Sequence, residues 1–297
     1  MAQKKIILEE LESLNSLKEL AESYEEIAAT RMQKIRDSVL KTRDFLSEIS
    51  DIFVDLKSSY QREVKDLLTK IKQGGKTLLP ILQKNNKLLM VYLSSNGRLY
   101  GSVTKKTFDL FIEDLKANGP DNVDIVVIGS AGKEMLESSS VKRPFEYFDI
   151  PDNNVGLNHI RTVMKKYLQY ERVHVYYGKF GNVVKQSAIS TSITGEDIFE
   201  TEVPSNVPRE DRFIFEPILE KIFHFFATQI MATLFSQTLL ENQLARHASR
   251  VNAMEEALVH IEGESKKLIL ERTRVKHSMM NKKQLESMSG FILWDLV

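Results

Sequence analysis

Apolar residues recur every three or four positions along both ends of the chain. In the first arm they stand at Leu11, Leu14, Leu17, Leu20, Tyr24 and Ile27, then at Met32, Ile35, Val39, Ile49, Phe53 and Leu56. In the second they stand at Leu240, Leu244, Ala248, Val251, Met254, Leu258, Ile261, Leu268, Val275 and Met279. Such spacing gathers each set into one stripe and predicts helices over residues 6–58 and 216–289. The helix breakers agree. All seven prolines fall between Pro80 and Pro217, and eleven of the thirteen glycines between Gly74 and Gly195. Helices this long cannot each be the core of a globule, so they must pair, and a narrow stripe suits a coiled coil. Charge suggests an antiparallel hairpin, because residues 9–26 carry seven glutamates against Lys18 while residues 266–283 carry seven cations against Glu271.

The middle of the chain changes period. LLMVYL (88–93) and VDIVVIG (123–129) are short runs rich in apolar and β-branched residues, of the kind buried in a sheet. RVHVYYGKF (172–180) and VKQSAIST (184–191) add two strand candidates, with helices expected at 103–117, 131–138 and 155–169. Strands separated by helices make a small parallel or mixed α/β sheet. The expected architecture is therefore α/β: a long antiparallel coiled coil from both termini (residues 1–60 and 213–297) with an inserted Rossmann-like α/β domain (80–212).

Composition narrows the function classes. Lys plus Arg and Asp plus Glu number 41 each, so the formal net charge is zero, which argues against a general nucleic-acid binder. The absence of cysteine excludes disulfides, thiolate metal sites and cysteine nucleophiles. The start of the sequence turns acidic after three apolar residues, so no signal peptide is expected. The most apolar stretch, residues 222–235, is interrupted by His224 and Gln229 and is too short to cross a bilayer. A soluble intracellular protein without direct membrane insertion is expected.

Candidate catalytic chemistry fails position by position. Gly74-Gly75-Lys76-Thr77 ends like a phosphate loop, but Lys70 stands where the first glycine is needed. Gly129-Ser130-Ala131-Gly132-Lys133 follows a strand and opens a helix, the right context for an anion on backbone amides. Glu134 follows it, however, where the motif needs Ser or Thr for magnesium. None of the six histidines has paired-ligand spacing, and no nucleophile elbow occurs. No cofactor and no metal are expected.

Several segments, in order along the chain, resemble one family. EEIAATRMQKIRDSVLKTRDFLSEI (25–49) is similar to the N-terminal helix of the γ subunit of rotary F-type ATP synthases, whose Met-Val-Ala-Ala-x-Lys-Met-Arg-Lys-like run corresponds to Ile27–Lys34. FIFEPILEKIF (213–223) resembles the Phe-Glu-Pro entry into that family's C-terminal helix. LLENQLARHASRVNAMEEA (239–257) resembles its Leu-Glu-Ser-x-x-Ser-Glu-His-Ala-Ala-Arg-Met-x-Ala-Met run, and YERVHVYYGKFGNVVKQ (170–186) its late strand pair.

The resemblance implies a mechanical role: one shaft per ring of three α and three β subunits, bearing torque between that head and a membrane ring. The implied partners are the α and β subunits, the ε subunit and the membrane c-ring, with the complex on the cytoplasmic face of the cell membrane and no catalysis in the shaft itself. Implied contacts with the α/β ring are Arg31 and Lys34 near the start, then Lys276, His277 and Met280, with Phe291 and Ile292 in the apolar bearing at the tip. Departures from the pattern are concentrated at that tip. Lys276-His277 replaces an Arg-Gln pair, Met280-Asn281 an Ile-Thr pair, Lys283 a glutamate, and GFILWDLV (290–297) a tail of small residues. The Asp-Arg-Gly-Leu-Cys-Gly-Gly loop has become SNGRLYGS (95–102). These changes also fit a paralogous motor not used for ATP synthesis. Other readings are a nucleotide-binding α/β enzyme carried on a helical dimerisation hairpin, and a coiled-coil adaptor.

Overall fold

The structure is a computed structural model and describes residues 2–59, 85–119, 122–153, 155–167, 169–193 and 219–294. Helix α1 (Ala2–Ser59) is followed by β1 (Asn85–Leu93), α2 (Val103–Ala117), β2 (Val123–Ile128), α3 (Ser130–Ser138), β3 (Glu146–Phe148), α4 (Leu157–Tyr167), β4 (Tyr170–Phe180), β5 (Gln186–Ser192) and α5 (Leu219–Trp294). The chain divides into two compact units, Met1–Ala29 with Arg250–Val297, and Thr30–Ser249. No helix among the described residues is long and apolar enough to cross a membrane.

The second unit is built on a five-stranded sheet of order β3-β2-β1-β4-β5. β1 lies parallel to both β2 and β4, and β3 parallel to β2, while β5 closes the edge antiparallel to β4. The two-residue period of β1 divides the core. Leu88, Met90 and Tyr92 meet Phe111, Leu115 and Leu136 of α2 and α3 on one face. Leu89, Val91 and Leu93 meet Val163 and Tyr167 of α4 and Phe235 and Leu239 of α5 on the other. Aromatic pairs fix both layers: Tyr92 stacks on Phe111 at 5.4 Å, and Tyr167 meets Phe235 edge-on at 5.0 Å. Burial pushes the Tyr167 hydroxyl far above the ordinary phenol range. The mixed sheet follows the strand expectations, with β3 as an unexpected fifth member.

Along α1 the less exposed positions are Ile7, Leu11, Leu14, Lys18, Ala21, Tyr24, Glu25, Ala28, Met32, Ile35, Val39, Thr42, Leu46, Ile49 and Ser50. Apart from Tyr24 and Ser50, which widen the stripe by one position each, their spacing alternates between four and three, the heptad pattern of a coiled coil. This corrects the sequence reading in the first thirty residues. Leu17, Leu20 and Ile27 were expected on the stripe but stand 49%, 52% and 45% exposed. Successive steps of three drift around a helix of 3.6 residues per turn, so those three side chains leave the seam that Lys18, Ala21 and Ala28 occupy.

In the first unit, Lys18 Nζ lies 3.3 Å from Glu262 Oε1, and the Arg250 guanidinium lies over the Tyr24 ring at 5.5 Å. Moving forward along α1 thus moves backward along α5, and the two segments are antiparallel, as expected. The pairing of charge is not as expected. Lys18 takes a glutamate from α5, and Lys267 turns to Glu264 in its own helix at 2.7 Å. Exposed pairs of this kind are worth little, so apolar register and not charge fixes the alignment. Gly263 sits inside α5 with nothing within 4 Å of a built Cβ. Gly263→Ala is expected to raise stability by about 0.5–1 kcal/mol, read by urea unfolding, because alanine restricts the unfolded chain at no steric cost.

Candidate functional site

Doubly wound sheets hold ligands outside the carboxyl ends of their strands, at the point where strand order reverses. From β1 the chain builds β2 and β3 on one side and returns to β4 on the other, so that point lies between β1 and β4. Here the crevice is filled by the protein's own helix. Asn242 of α5 donates from Nδ2 to the Leu93 carbonyl at 3.2 Å, and its Oδ1 accepts the Gly178 amide at 3.0 Å, bridging the ends of β1 and β4. One turn further, Arg246 Nη1 donates to the Ser94 carbonyl at 3.0 Å and to Asp152 Oδ1 at 2.6 Å. Ser249 Oγ accepts the Val103 amide at 3.4 Å. Spacings of four and three place all three side chains on one face of α5.

The approach is close because the facing residues are small. Ala245 and Ala248 are fully buried on α5, and a Cβ on Gly178 would lie 2.8 Å from Val103 and 3.3 Å from Ala245. Asp152 accepts the Asn96 amide at 3.0 Å and the Gly97 amide at 2.6 Å, and the Arg246 guanidinium lies over the Tyr100 ring at 5.0 Å. Burial pushes the Asp152 carboxyl up, but Arg246 and the two amides outweigh it and hold it below the usual carboxylate range. Helix α1 joins this face through Arg43, whose guanidinium lies 3.0 Å from the buried Glu241, itself held by Gln237 at 2.7 Å.

The glycine-bearing turn before α3 is closed to anions. The Ser130 amide donates to Asn96 Oδ1 at 2.8 Å, the Ala131 amide to the Ser95 carbonyl at 2.9 Å, and the Gly129 amide to the Phe148 carbonyl at 3.3 Å. The amides a phosphate would need are therefore engaged by the chain itself, which removes the phosphate site of the nucleotide-binding alternative. Asn96 also donates to Asp149 Oδ1 at 2.8 Å. Asn96→Ala is expected to cost about 1–2 kcal/mol in urea unfolding, as loss of a helix N-terminal acceptor does. Gly74–Thr77 lies outside the described residues.

Of the expected contact residues, the structure brings Arg31 and Lys34 together on the exposed side of α1. Both line a cleft of about 490 Å³ whose apolar walls include Ile35, Val155, Ile160 and Leu239. Lys276, His277 and Met280 are exposed on α5, with Met280 one turn beyond Lys276. These three belong to the first unit, whereas Arg31 and Lys34 belong to the second. α5 is helical through Phe291 and Ile292, whose side chains lie outside the described residues. Sequence reasoning missed Asn242, Arg246 and Asp152. No local spacing marks them, since their polar side chains read as those of a solvated helix face and a loop.

Comparison with known proteins places these features in a family. The family model described as ATP synthase matches residues 3–291. The ATP synthase gamma chain of Cytophaga hutchinsonii is 23% identical over 288 residues, covering 94% of each chain. That of Mycoplasma capricolum subsp. capricolum is 24% identical over 291 residues, covering 95% of each. Among solved structures, the fold resembles a chain of the Euglena gracilis mitochondrial ATP synthase rotor, with a TM-score of 0.58 at 13% identity over 94% of this chain and 99% of that one. A chain of the Tetrahymena thermophila mitochondrial ATP synthase central stalk and c-ring has a TM-score of 0.53 at 18% identity over 80% of this chain and 99% of that one. Matched along nearly its whole length by the family model and by gamma chains, this chain belongs to the gamma-chain family of ATP synthases.

Proposed function

We propose that this chain is the central-stalk rotor of an F-type ATP synthase or ATPase, present once in a ring of three α and three β subunits and mounted through its α/β domain on the ε subunit and the membrane c-ring. The observation that carries the reading is the filled crevice: the place where this fold type holds a ligand is occupied by Asn242 and Arg246 of the chain's own helix. The α/β domain is thus a mount fixed to a helix, and the chain transmits torque without catalysis of its own, on the cytoplasmic face of the cell membrane. Exposed Leu17, Leu20 and Ile27 on α1, and Leu270, Met280 and Leu285 on α5, supply apolar side chains for an enclosing bearing. Arg31 and Lys34, beside the apolar cleft, meet acidic segments of the ring, and Lys276, His277 and Met280 meet it nearer the tip, with Phe291 and Ile292 in the bearing. The replacements at Lys276–Asn281 and in the tail favour a second version, a paralogous motor that hydrolyses ATP without making it.

The test is co-expression with the α and β subunits of the same organism, followed by sizing and an ATPase assay. A stable complex with one copy of this chain per three α and three β, hydrolysing ATP, is expected. A chain that elutes alone and stimulates no hydrolysis would overturn the reading. Reconstitution with the membrane sector then separates the two versions by whether an ion gradient drives ATP formation.

A further inference from the structure

We propose that Asn242 and Arg246 are positioning residues: the α/β domain passes its turning force into α5 through these two side chains. The inference rests on the rotor reading above and adds to it the place where force crosses from domain to helix.

Two kinds of contact hold α5 to the sheet. Phe235 and Leu239 pack into the apolar layer with Tyr167, Val163 and the odd-numbered side chains of β1. These contacts hold the helix against the sheet, with the Tyr167–Phe235 pair oriented edge-on, but apolar burial itself has no sharp angular preference. The polar contacts are directional and all lie on one face. Asn242 grips the two strand ends that flank the crevice, Leu93 of β1 and Gly178 of β4, with a donor to one and an acceptor from the other. Arg246 grips the Ser94 carbonyl and Asp152. Asp152 is itself held by the amides of Asn96 and Gly97, so the guanidinium is tied to the loop after β1 from two sides.

The geometry opposes rolling of the helix. A side-chain tip lies about 5–6 Å from a helix axis, so rolling α5 by about 10° carries it about 1 Å. A displacement of that size takes a hydrogen bond out of its working range. Since Asn242 is held to β1 and to β4, rolling in either sense strains one of its bonds. Apolar packing lacks so sharp a dependence on distance and angle, so without the polar contacts the helix would roll further in its seat under the same load.

The chain has no cysteine, so Ser187→Cys on the exposed part of β5 gives a single attachment point on the α/β domain. A rod attached there, in a complex with surface-fixed α and β subunits hydrolysing ATP, reports the angle of the domain at each pause. In Arg246→Met and Asn242→Leu the angular spread at each pause is expected to widen at least about twofold, as expected when residues that lock a geometry are removed. ATP turnover of the same complexes is expected to stay within about twofold of the parent, because no catalytic group is touched. Arg246→Lys, which keeps a cation, is expected to recover much of the loss. Should either variant fail to assemble, Arg246→Gln and Asn242→Ser are read in its place, with the same widening expected. Rotation of the parent with unchanged spread in the variants overturns the clamp alone. Turnover and assembly falling together with unchanged spread also overturns it, leaving a structural role. A parent complex that does not turn overturns the rotor reading, and the clamp with it.

Discussion

Arg246→Met is expected to lower the unfolding free energy of the chain by about 3–5 kcal/mol, the cost of leaving one member of a buried ion pair behind. The side chains of Arg246 and Asp152 are 6% and 14% exposed, so neither can turn to water for compensation. Methionine matches the length of the arginine stem, which confines the change mainly to the guanidinium. The variant loses the bonds to Ser94 and Asp152 and the contact with the Tyr100 ring, while Asp152 keeps the amides of Asn96 and Gly97. pH separates the electrostatic part from lost packing. Asp152 titrates below the ordinary carboxylate value in the folded chain, so it binds fewer protons there than in the unfolded chain. Its contribution is present above the unfolded value of about 3.9 and is lost as pH falls through the lower folded value. The gap between parent and Arg246→Met in urea unfolding should therefore be full at pH 7 and narrow as the medium is acidified below about pH 4. A gap that does not change with pH would mean that the loss is packing and not charge.

Gly101→Val is expected to cost on the order of 4 kcal/mol and to lift the loop after β1 from α5. Gly101 has φ +65°, in the left-handed region that a β-branched residue scarcely enters. A Cβ there would also collide with the Ser249 carbonyl oxygen and lie 2.5 Å from Ser249 Oγ. The colliding carbonyl belongs to helix backbone and cannot swing aside, so the loop must move and take with it the Val103 amide that Ser249 accepts. The control is Gly119→Val, where nothing lies within 4 Å of a built Cβ; it should change stability by no more than about 0.5 kcal/mol. Equal effects at the two positions would show that the loop is not seated on α5 as described.

The arms were legible because proline and glycine cost most inside helices, and both are absent from residues 1–73. β1, β2, β4 and β5 were legible as apolar or alternating runs. β3 was not, since Glu146–Phe148 is a three-residue edge strand, too short to display a period. The largest apolar residues suggest one seam for α1, whereas burial follows a heptad stripe widened at Tyr24 and Ser50 and takes in Lys18 and Glu25, whose long stems can lie along a seam. The clamp was illegible for a different reason. Asn242, Arg246 and Ser249 have the side chains of a solvated helix face, and only a partner such as Asp152, 94 residues away, makes their burial tolerable. Local spacing does not reveal such a partner.

The most direct test of the central claim is rotation itself. A rod attached through Ser187→Cys, in a complex with the α and β subunits of the same organism fixed to a surface, should turn in one direction when ATP is supplied and stop when it is exhausted. A chain that fails to seat in the ring, or a rod that only diffuses to and fro while the complex hydrolyses ATP, would contradict the account.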